Sequence, residues 1–245
     1  MRRVMFVWRG RAVHSYPFMQ YIGLNLGVLA GNAAAKVNGV NSFRFFVATV
    51  ILLFPALAGA RILHLVTNWN FYREHRSLIW NTREGGAAQY GGFLLAVPLS
   101  IPLLHALDVP FGAFWDLAAI TMMVGMIFTR IGCLLNGCCA GHPTDSWIGV
   151  NLPNLSGVSE KRYPTQLLEA LWAAILLAVG LAVWPSLGFD GALLLFIASG
   201  YALGRLALES MRESNGSRRG LTIHHAISIL IIAVTLAALT VRRNG

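Results

Sequence analysis

The chain has 245 residues and a formal net charge of +9; 56% of its residues are hydrophobic and only 12% are charged. A soluble domain of this size carries about 25% charged residues, so the composition excludes an ordinary soluble domain, and it also excludes a disordered chain. In so apolar a chain, the basic excess indicates that the protein contacts anionic lipid and that basic residues flank membrane spans and set their orientation. It does not indicate contact with nucleic acid.

The predicted elements are apolar stretches close to membrane-spanning length. The N-terminal stretch is interrupted by Arg9 and Arg11 and has no small-residue cleavage site after it, so we do not interpret it as a signal peptide. A hydrocarbon core of roughly 30 Å needs about 20 helical residues. Seven stretches approach this length, at about residues 17–35, 44–66, 88–107, 111–129, 166–184, 190–208 and 222–241.

Since lipid offers the backbone no hydrogen-bond partners, all seven stretches should be helical. We therefore predict an all-α integral membrane protein with about seven transmembrane helices, forming one polytopic domain over residues 1–245. Pro98 and Pro102 predict a kink or break in the third helix. Residues 130–165 form the longest connection, which we expect to be extramembrane or re-entrant.

The charge distribution predicts an orientation. With seven spans, the connections 67–87, 130–165 and 209–221 share the side of the N-terminus. Thirteen arginines and lysines lie on that side and four on the other. By the positive-inside rule alone, the crowded side faces the cytoplasm.

The ionisable residues within predicted spans or at their edges include Arg61, Asp116, Arg205 and Glu209. Each costs about 2.5–3.5 kcal/mol at a helix centre, so such residues usually face the bundle interior. Arg205 and Glu209 are four residues apart and can pair on one helix face. The pair is either a structural ion pair or part of a site that admits another helix or a lipid headgroup. The small residues before Arg205 favour the second interpretation, because they allow close approach.

A glycine-rich segment follows the fourth span. We expect that helix to end at Arg130 and to be followed by a turn containing Gly132, Gly137 and Gly141. An arginine, a planar multidentate donor, beside a glycine-rich turn suggests an anionic headgroup site. The alternative is a capped helix end with a snorkelling arginine.

The three cysteines, Cys133, Cys138 and Cys139, lie within this segment. The adjacent pair is poorly placed to form a disulfide. With His142 the spacing is C-x4-C-C-x2-H, which differs from standard structural zinc patterns. Buried apolar thiols are the favoured interpretation and a reactive thiol near Arg130 is the other, so we predict no metal and no cofactor.

Tyr90 lies between two glycine pairs at the entrance of the third span, in the sequence EGGAAQYGG. Its side chain either lines a cavity or belongs to an interfacial aromatic belt. The residues alone leave both interpretations open.

Seven segments in order resemble the prolipoprotein diacylglyceryl transferase family. They are HSYPF, GARIL, EGGAAQYGG, TRIGCLLNGCCAG, RYPTQLLE, GYALGRLALESMR and LTIHHAISI, and they run from about residue 14 to about residue 229. Any one match is weak, but seven in order are specific. The positions that match the family include Arg61, Arg130, Gly132, Asn136, Gly137, Gly141, Arg162, Pro164, Gln166, Glu169, Tyr201, Arg205, Glu209 and Arg212.

The chain departs from the family pattern at several polar positions. Tyr90 stands where the family has histidine, Cys133 where it has asparagine, Cys138 where it has glutamate and Thr129 where it has glycine. A tyrosine hydroxyl has an unperturbed pKa of about 10, so it is a poor base at neutral pH. The chain therefore uses another base, relies on arginine-assisted deprotonation, or has lost the reaction.

The resemblance implies a membrane-embedded enzyme whose helices surround a lipid-binding cavity. Its reaction would move the diacylglyceryl group of phosphatidylglycerol to the thiol of a lipobox cysteine in a prolipoprotein, with release of glycerol phosphate. The implied partners are phosphatidylglycerol, prolipoprotein signal peptides with a lipobox cysteine, and membrane lipids, with no nucleic acid. The implied location is the bacterial plasma (inner) membrane, as a multi-pass protein whose active site faces the extracytoplasmic side.

The resemblance also implies residue roles. The chemistry needs a thiolate, an aligned glycerol carbon and cations for the leaving phosphate. Arg130 and Arg205 would bind that phosphate, and Tyr90 occupies the position of the family's base. The expected substrate-binding residues are Tyr16 and Asn136 for headgroup orientation, Tyr201 for the cavity wall, Glu209 for holding arginines, together with Arg61, Gly141 and Arg162. Glu169 would hold arginines in place as Glu209 does.

Two alternatives remain open beside this transferase. The changes at Tyr90, Cys133 and Cys138 are compatible with a paralogous enzyme of the same fold that has another thiol or alcohol acceptor. The loss of the family's histidine and signature glutamate is compatible with a non-catalytic phospholipid-binding membrane protein. On orientation, we follow the collinear motifs rather than the charge rule.

Overall fold

The computed structural model describes residues 2–79, 89–153 and 158–212, together with Ile229, Ala233 and Thr235. Its helices are α1 (Ser15–Val37), α2 (Ser42–Thr67), α3 (Trp69–Glu74), α4 (Gln89–Ala106), α5 (Phe111–Asn136), α6 (Thr165–Val183) and α7 (Ala192–Glu209). Six predicted spans coincide with α1, α2, α4, α5, α6 and α7. The seventh span, at 222–241, lies outside the described residues apart from the three isolated ones.

The all-α membrane architecture is confirmed. Four described helices are long and apolar enough to cross a membrane, namely Ser42–Thr67, Phe111–Asn136, Thr165–Ser186 and Ala192–Glu209, and the apolar helix Gly91–Ala106 is shorter. Large apolar side chains point outward from these helices, such as Phe54 with 71% and Leu94 with 69% of its surface exposed. Such surfaces suit a hydrocarbon environment, where apolar exposure costs nothing.

Two short hairpins, which the sequence did not predict, lie outside the helices. Strand β1 (Val4–Trp8) pairs antiparallel with β2 (Arg11–His14), and β3 (Val150–Pro153) pairs antiparallel with β4 (Ser159–Arg162). Positive φ angles of 49° at Arg9 and 76° at Gly10 form the first turn. Two consecutive residues with positive φ match the right-handed twist of a tight hairpin.

The described chain divides into two compact units, one of residues 1–31 and 115–245 and the other of residues 32–114. In the second unit, α2 packs closely on α4. A Cβ added at Gly59 or at Gly91 would clash with the carbonyl oxygen of the other glycine. Helix α4 runs continuously through Pro98 and Pro102, so the expected break is wrong, whereas the alternative of a kink stays a prediction. Membrane helices tolerate proline where their surroundings compensate for the lost backbone hydrogen bonds.

In the first unit, glycines bring the site-bearing helices together. A side chain at Gly23 of α1 would meet the Phe128 Cβ of α5 at 2.7 Å, and one at Gly204 of α7 would clash with Trp172 of α6. The Trp172 indole N–H also donates to the Gly200 carbonyl at 3.0 Å. Small residues permit such close backbone approach where no hydrophobic force drives helices together.

Candidate active site

Helix α5 continues beyond its expected end. We expected a turn after Arg130, but residues 130–136 are helical, and the helix ends at Asn136 because Gly137 adopts a positive φ of 74°. Gly132 lies inside the helix, where an added Cβ would lie 3.4 Å from the Tyr16 Cα of α1. The glycine thus serves helix packing, and the extension places Arg130 within α5 rather than at its end.

Glu169 of α6 is the centre of the site. Its side chain is 3% exposed and forms ion pairs with three arginines. Arg130 Nη2 lies 2.5 Å from Glu169 Oε2, whereas Arg205 Nη1 and Arg212 Nη1 lie 2.9 Å and 2.8 Å from Oε1. Helices α5 and α7 and the segment after α7 therefore bring guanidinium groups to one carboxylate.

Glu209 completes this group. Its Oε2 lies 3.2 Å from Arg205 Nη2, which is the i,i+4 pair that the sequence predicted. We call these five residues, Arg130, Arg205, Arg212, Glu169 and Glu209, the arginine cluster. Its three positive and two negative charges leave one positive charge in excess. Arg130 Nε is buried and has no hydrogen-bond partner in the described part of the chain.

The loop after α5 is tied to the start of α6. The Thr165 hydroxyl donates to the Cys139 carbonyl at 2.7 Å, and the Gln166 side-chain amide donates to the Cys138 carbonyl at 2.6 Å. Cys139 adopts a positive φ of 64°, which is uncommon for a residue other than glycine. These bonds hold the loop in a sharp, defined turn beside Glu169.

Gly141 and Arg162 have framework positions. Gly141 donates its N–H to the Tyr163 carbonyl at 2.9 Å, and a Cβ there would lie 2.7 Å from Tyr163 Cβ. The buried Arg162 donates to the Gly141 carbonyl at 3.0 Å and forms an ion pair with Glu160. Gly141 also pairs through its backbone with Arg212. The two residues join β4 to the segment that carries Arg212.

The three cysteines meet beside the arginine cluster. Their sulfur atoms lie within 4.8 Å of one another, and none forms a disulfide. Hydrogen bonds from the Cys133 and Cys138 thiols lower the pKa of the Cys139 thiol, and the charges of Arg212 and Arg130 act in the same direction. Cys133 is buried, whereas Cys138 and Cys139 are partly exposed.

Three predicted polar residues surround these groups. Tyr16, near the start of α1, lies within electrostatic range of the three thiols and of Arg130. Asn136, the last residue of α5, lies within hydrogen-bonding reach of the Cys138 thiol. The Tyr201 hydroxyl lies 3.9 Å from Met126 Sδ and next to the Arg130 guanidinium.

Arg61 and Tyr90 belong to the second compact unit. Arg61 donates to the Leu78 carbonyl at 3.1 Å and to the Ile79 carbonyl at 2.8 Å, and its guanidinium lies 5.5 Å from the Tyr72 ring centre. The backbone of Tyr90 lies in α4, but its side chain is outside the described residues. The expected roles of both residues stay predictions.

Arg212 matches the family motif as a possible site residue, but residue-by-residue reasoning assigned it no specific role, and in the structure it reaches Glu169. Thr165 and Gln166, which hold the cysteine loop, were likewise assigned none. Arg212 follows Glu209, the last residue of α7, by three residues, so helix periodicity does not place its side chain. No local pattern indicates that Arg212 pairs with Glu169, whereas Glu209 pairs with Arg205.

Comparisons with known proteins identify relatives over nearly the whole chain. The family model described as prolipoprotein diacylglyceryl transferase matches residues 3–241. A phosphatidylglycerol–prolipoprotein diacylglyceryl transferase 2 of Clostridium perfringens (strain 13 / Type A) is 29% identical over 247 aligned residues, which cover 95% of this chain and 92% of the relative. A phosphatidylglycerol–prolipoprotein diacylglyceryl transferase of Streptococcus pyogenes serotype M5 (strain Manfredo) is 28% identical over 245 residues, with the same coverage.

Proposed function

Since the chain belongs to the prolipoprotein diacylglyceryl transferase family, we propose that it transfers the diacylglyceryl group of phosphatidylglycerol to the thiol of a lipobox cysteine in prolipoproteins. Glycerol phosphate is the leaving product, and the transfer is a step of lipoprotein maturation. The relatives named above carry this activity in their names, and they align with 95% of the chain.

The observation that carries the proposal is the convergence of three arginines on the buried Glu169 carboxylate. An uncompensated positive charge is costly in a site shielded from water. The phosphodiester of phosphatidylglycerol carries one negative charge, which neutralises the excess. Arg130 Nε, a buried donor without a partner in the described part of the chain, offers a further hydrogen bond to a phosphate oxygen.

The same charges favour the transfer step. The thiolate sulfur attacks the glyceryl carbon that bears the phosphate ester oxygen, and the bond between that carbon and oxygen breaks. Its electron pair leaves on glycerol phosphate, whose charge changes from one negative to two. Arginines held in place before the reaction stabilise this added charge more than the charge of the bound lipid, which lowers the barrier.

The remaining predicted residues support this site in different ways. We assign headgroup orientation to Tyr16 and Asn136, and the cavity wall beside Arg130 to Tyr201. Gly141 and Arg162 act as positioning residues, because their contacts hold the segment that carries Arg212.

Roles for Arg61 in substrate binding and for Tyr90 near the acceptor thiol follow from the family motif. The partners are the lipobox region of prolipoprotein signal peptides and membrane lipids. We propose that the protein lies in the bacterial plasma (inner) membrane as a multi-pass protein with an extracytoplasmic active site.

A transfer assay tests the proposal. Purified protein is reconstituted with phosphatidylglycerol and a synthetic lipobox peptide, and the peptide is followed by mass spectrometry. We expect a diacylglyceryl adduct on the peptide cysteine. Arg130→Ala and Arg205→Ala should each lower the rate on the order of 10²–10³-fold, the usual cost of removing a group that stabilises developing charge.

Arg44→Ala is the matched control. Arg44 pairs with Asp108 at 2.9 Å, but both side chains are exposed, at 44% and 91%, so its loss should leave the rate unchanged. Folded protein that binds phosphatidylglycerol without ever forming the adduct would contradict the transferase activity. It would favour a phospholipid-binding role instead.

A further inference from the structure

The three-cysteine group has no part in the reaction described so far. Cys133 lies in the last turn of α5, and Cys138 and Cys139 lie in the turn that follows. Their sulfur atoms lie within 4.8 Å of one another, although the sequence spacing does not suggest a standard metal motif. The sharp turn after α5, which includes the positive φ of Cys139, brings the three thiols together.

The sulfur separations fit one tetrahedral metal ion after small adjustments. Zn²⁺ binds thiolates at about 2.3 Å, which places the sulfur atoms about 3.8 Å apart. Side-chain rotation achieves a change of about 1 Å without moving the backbone. Thr165 and Gln166 fix that backbone through the Cys139 and Cys138 carbonyl groups. Three protein ligands leave a fourth position open, as in catalytic rather than structural zinc sites.

Charge and access also suit a metal ion here. Three thiolates and one Zn²⁺ carry one net negative charge, and the cationic side chains of the arginine cluster lie beside them. Arg130 and Arg212 act electrostatically on Cys139, so the two groups are neighbours. Cys138 and Cys139 are partly exposed, so a further ligand has a route to the metal.

The proposed reaction needs a thiolate, and the arginine cluster supplies no uncommitted base. Its two carboxylates, Glu169 and Glu209, are both ion-paired with arginines. His142 packs edge-on against Tyr163 with ring centres 5.0 Å apart, and its Nδ1 lies 2.9 Å from the Pro143 carbonyl. A metal ion that binds the acceptor sulfur removes the need for such a base, because coordination deprotonates a thiol.

We propose that Cys133, Cys138 and Cys139 form a three-thiolate Zn²⁺ site whose fourth position binds the acceptor thiol as a thiolate. This inference rests on the proposed transferase function. The acceptor thiol releases its proton to water when its sulfur binds the metal. The sulfur then forms its bond to the glyceryl carbon as the carbon–oxygen bond of the lipid breaks. The thioether product is a poor zinc ligand and leaves, which reopens the fourth position.

Metal binding is tested first, independently of transfer. Full-length protein in detergent, stripped with a chelator, is titrated with Zn²⁺ against a coloured zinc indicator. We expect about one zinc per chain. Cys133→Ser, Cys138→Ser and Cys139→Ser should each weaken zinc affinity by more than about 100-fold. Even the loss of a residue that only hydrogen-bonds to a metal ligand lowers metal affinity by about 10–100-fold. His142→Ala is the control and should bind zinc as the parent chain does.

The open position is tested with Co²⁺ in place of Zn²⁺. Thiolate-to-cobalt absorption should appear in the parent chain and disappear in the triple cysteine-to-serine variant. Addition of the lipobox peptide should change the cobalt spectrum, whereas a peptide with serine in place of the cysteine should not. Failure to bind zinc, a disulfide among the three cysteines, or a cobalt spectrum insensitive to the peptide would each overturn the inference.

Transfer rates separate this inference from the proposed function. We expect the zinc-loaded chain to exceed the stripped chain by on the order of 10²-fold, with activity extending to lower pH. If the triple serine variant transfers as fast as the zinc-loaded parent, the zinc inference is wrong and the transferase function stands. If zinc and peptide bind as expected and no form transfers the lipid, the transferase function is wrong and the metal site stands.

Discussion

Glu169 shows how one buried residue organises a charged site. Its carboxylate receives three guanidinium groups, and its side chain is almost fully buried. Removing one partner from a buried ion pair costs about 3–5 kcal/mol, because the remaining charge is left uncompensated. Glu169 therefore holds Arg130, Arg205 and Arg212 close together. Their excess positive charge is then available in one place to an anionic ligand.

Glu169→Gln tests this role. The substitution raises the positive excess of the arginine cluster to two, so we expect the free energy of unfolding to fall by about 3–5 kcal/mol. Phosphatidylglycerol brings a negative charge and should therefore stabilise the variant more than the parent chain. The measurement is the midpoint of thermal unfolding in detergent, with and without phosphatidylglycerol.

Glu160→Gln provides the comparison for that experiment. Glu160 pairs with Arg162 outside the arginine cluster, and its side chain is 40% exposed. Its loss should not enlarge the lipid-dependent shift. If phosphatidylglycerol raises the unfolding midpoint of Glu169→Gln no more than that of the parent chain, Glu169 does not balance the charge of an anion-binding site.

At the scale of elements, the site depends on how α5, α6 and α7 are held together. Helix α5 carries Arg130, α6 carries Glu169, and α7 carries Arg205 and Glu209. At the other end of α7, Asp116 of α5 accepts hydrogen bonds from the N–H groups of Gly191 and Leu194, at 2.7 Å and 2.8 Å. A residue of α5 thus caps the start of α7, which fixes these two helices relative to each other.

Asp116→Ala should weaken this junction. It removes the acceptor of two partly buried backbone N–H groups, so we expect a loss of about 1–3 kcal/mol in the free energy of unfolding. Asp116→Asn, which keeps one acceptor oxygen, should lose less. Helix α7 has 18 residues and is about 27 Å long, so the transfer rate per folded molecule should change little.

Asp190→Ala is the control for the cap, because Asp190 is exposed and makes none of these bonds. Thermal unfolding followed by circular dichroism gives the comparison. Equal unfolding midpoints for the parent chain and Asp116→Ala would contradict the capping role.

At the scale of the whole molecule, the charge rule and the family motifs disagree on orientation. The loop after α5 packs against the start of α6, next to the site. The connection from α6 to α7 lies at the other end of α6. Helix α6 has 19 residues, about 28 Å, which is close to the thickness of the hydrocarbon core. Residues before and after α6 should therefore lie on opposite sides of the membrane.

Cysteine labelling decides the orientation. Asp145→Cys and Gly188→Cys are placed singly in a chain whose native cysteines are replaced by serine. Both positions are exposed, and a side chain at Gly188 meets no atom within 4 Å. With an extracytoplasmic site, a membrane-impermeant maleimide should label Asp145→Cys in intact cells and Gly188→Cys only after lysis. The reverse pattern would support the charge rule.

The sequence by itself determined the membrane class, the positions of six described helices and the pairing of Arg205 with Glu209. Each of these depends on neighbours within one helix, where apolar length and a spacing of four residues decide the outcome. The ordered motifs also indicated the family. The hairpins and the extension of α5 to Asn136 were not evident, because turn geometry and helix packing decided them.

Only the tertiary structure decided that Arg130, Arg205 and Arg212 share Glu169, and that the three cysteines meet. These contacts join residues far apart in sequence or separated by a sharp turn, and local periodicity carries no information about them. They depend on glycines such as Gly23 and Gly204, which let whole helices approach, and on hydrogen bonds that hold the loop after α5. The sequence shows which residues are charged, but helix packing determines which of these charged side chains come into contact.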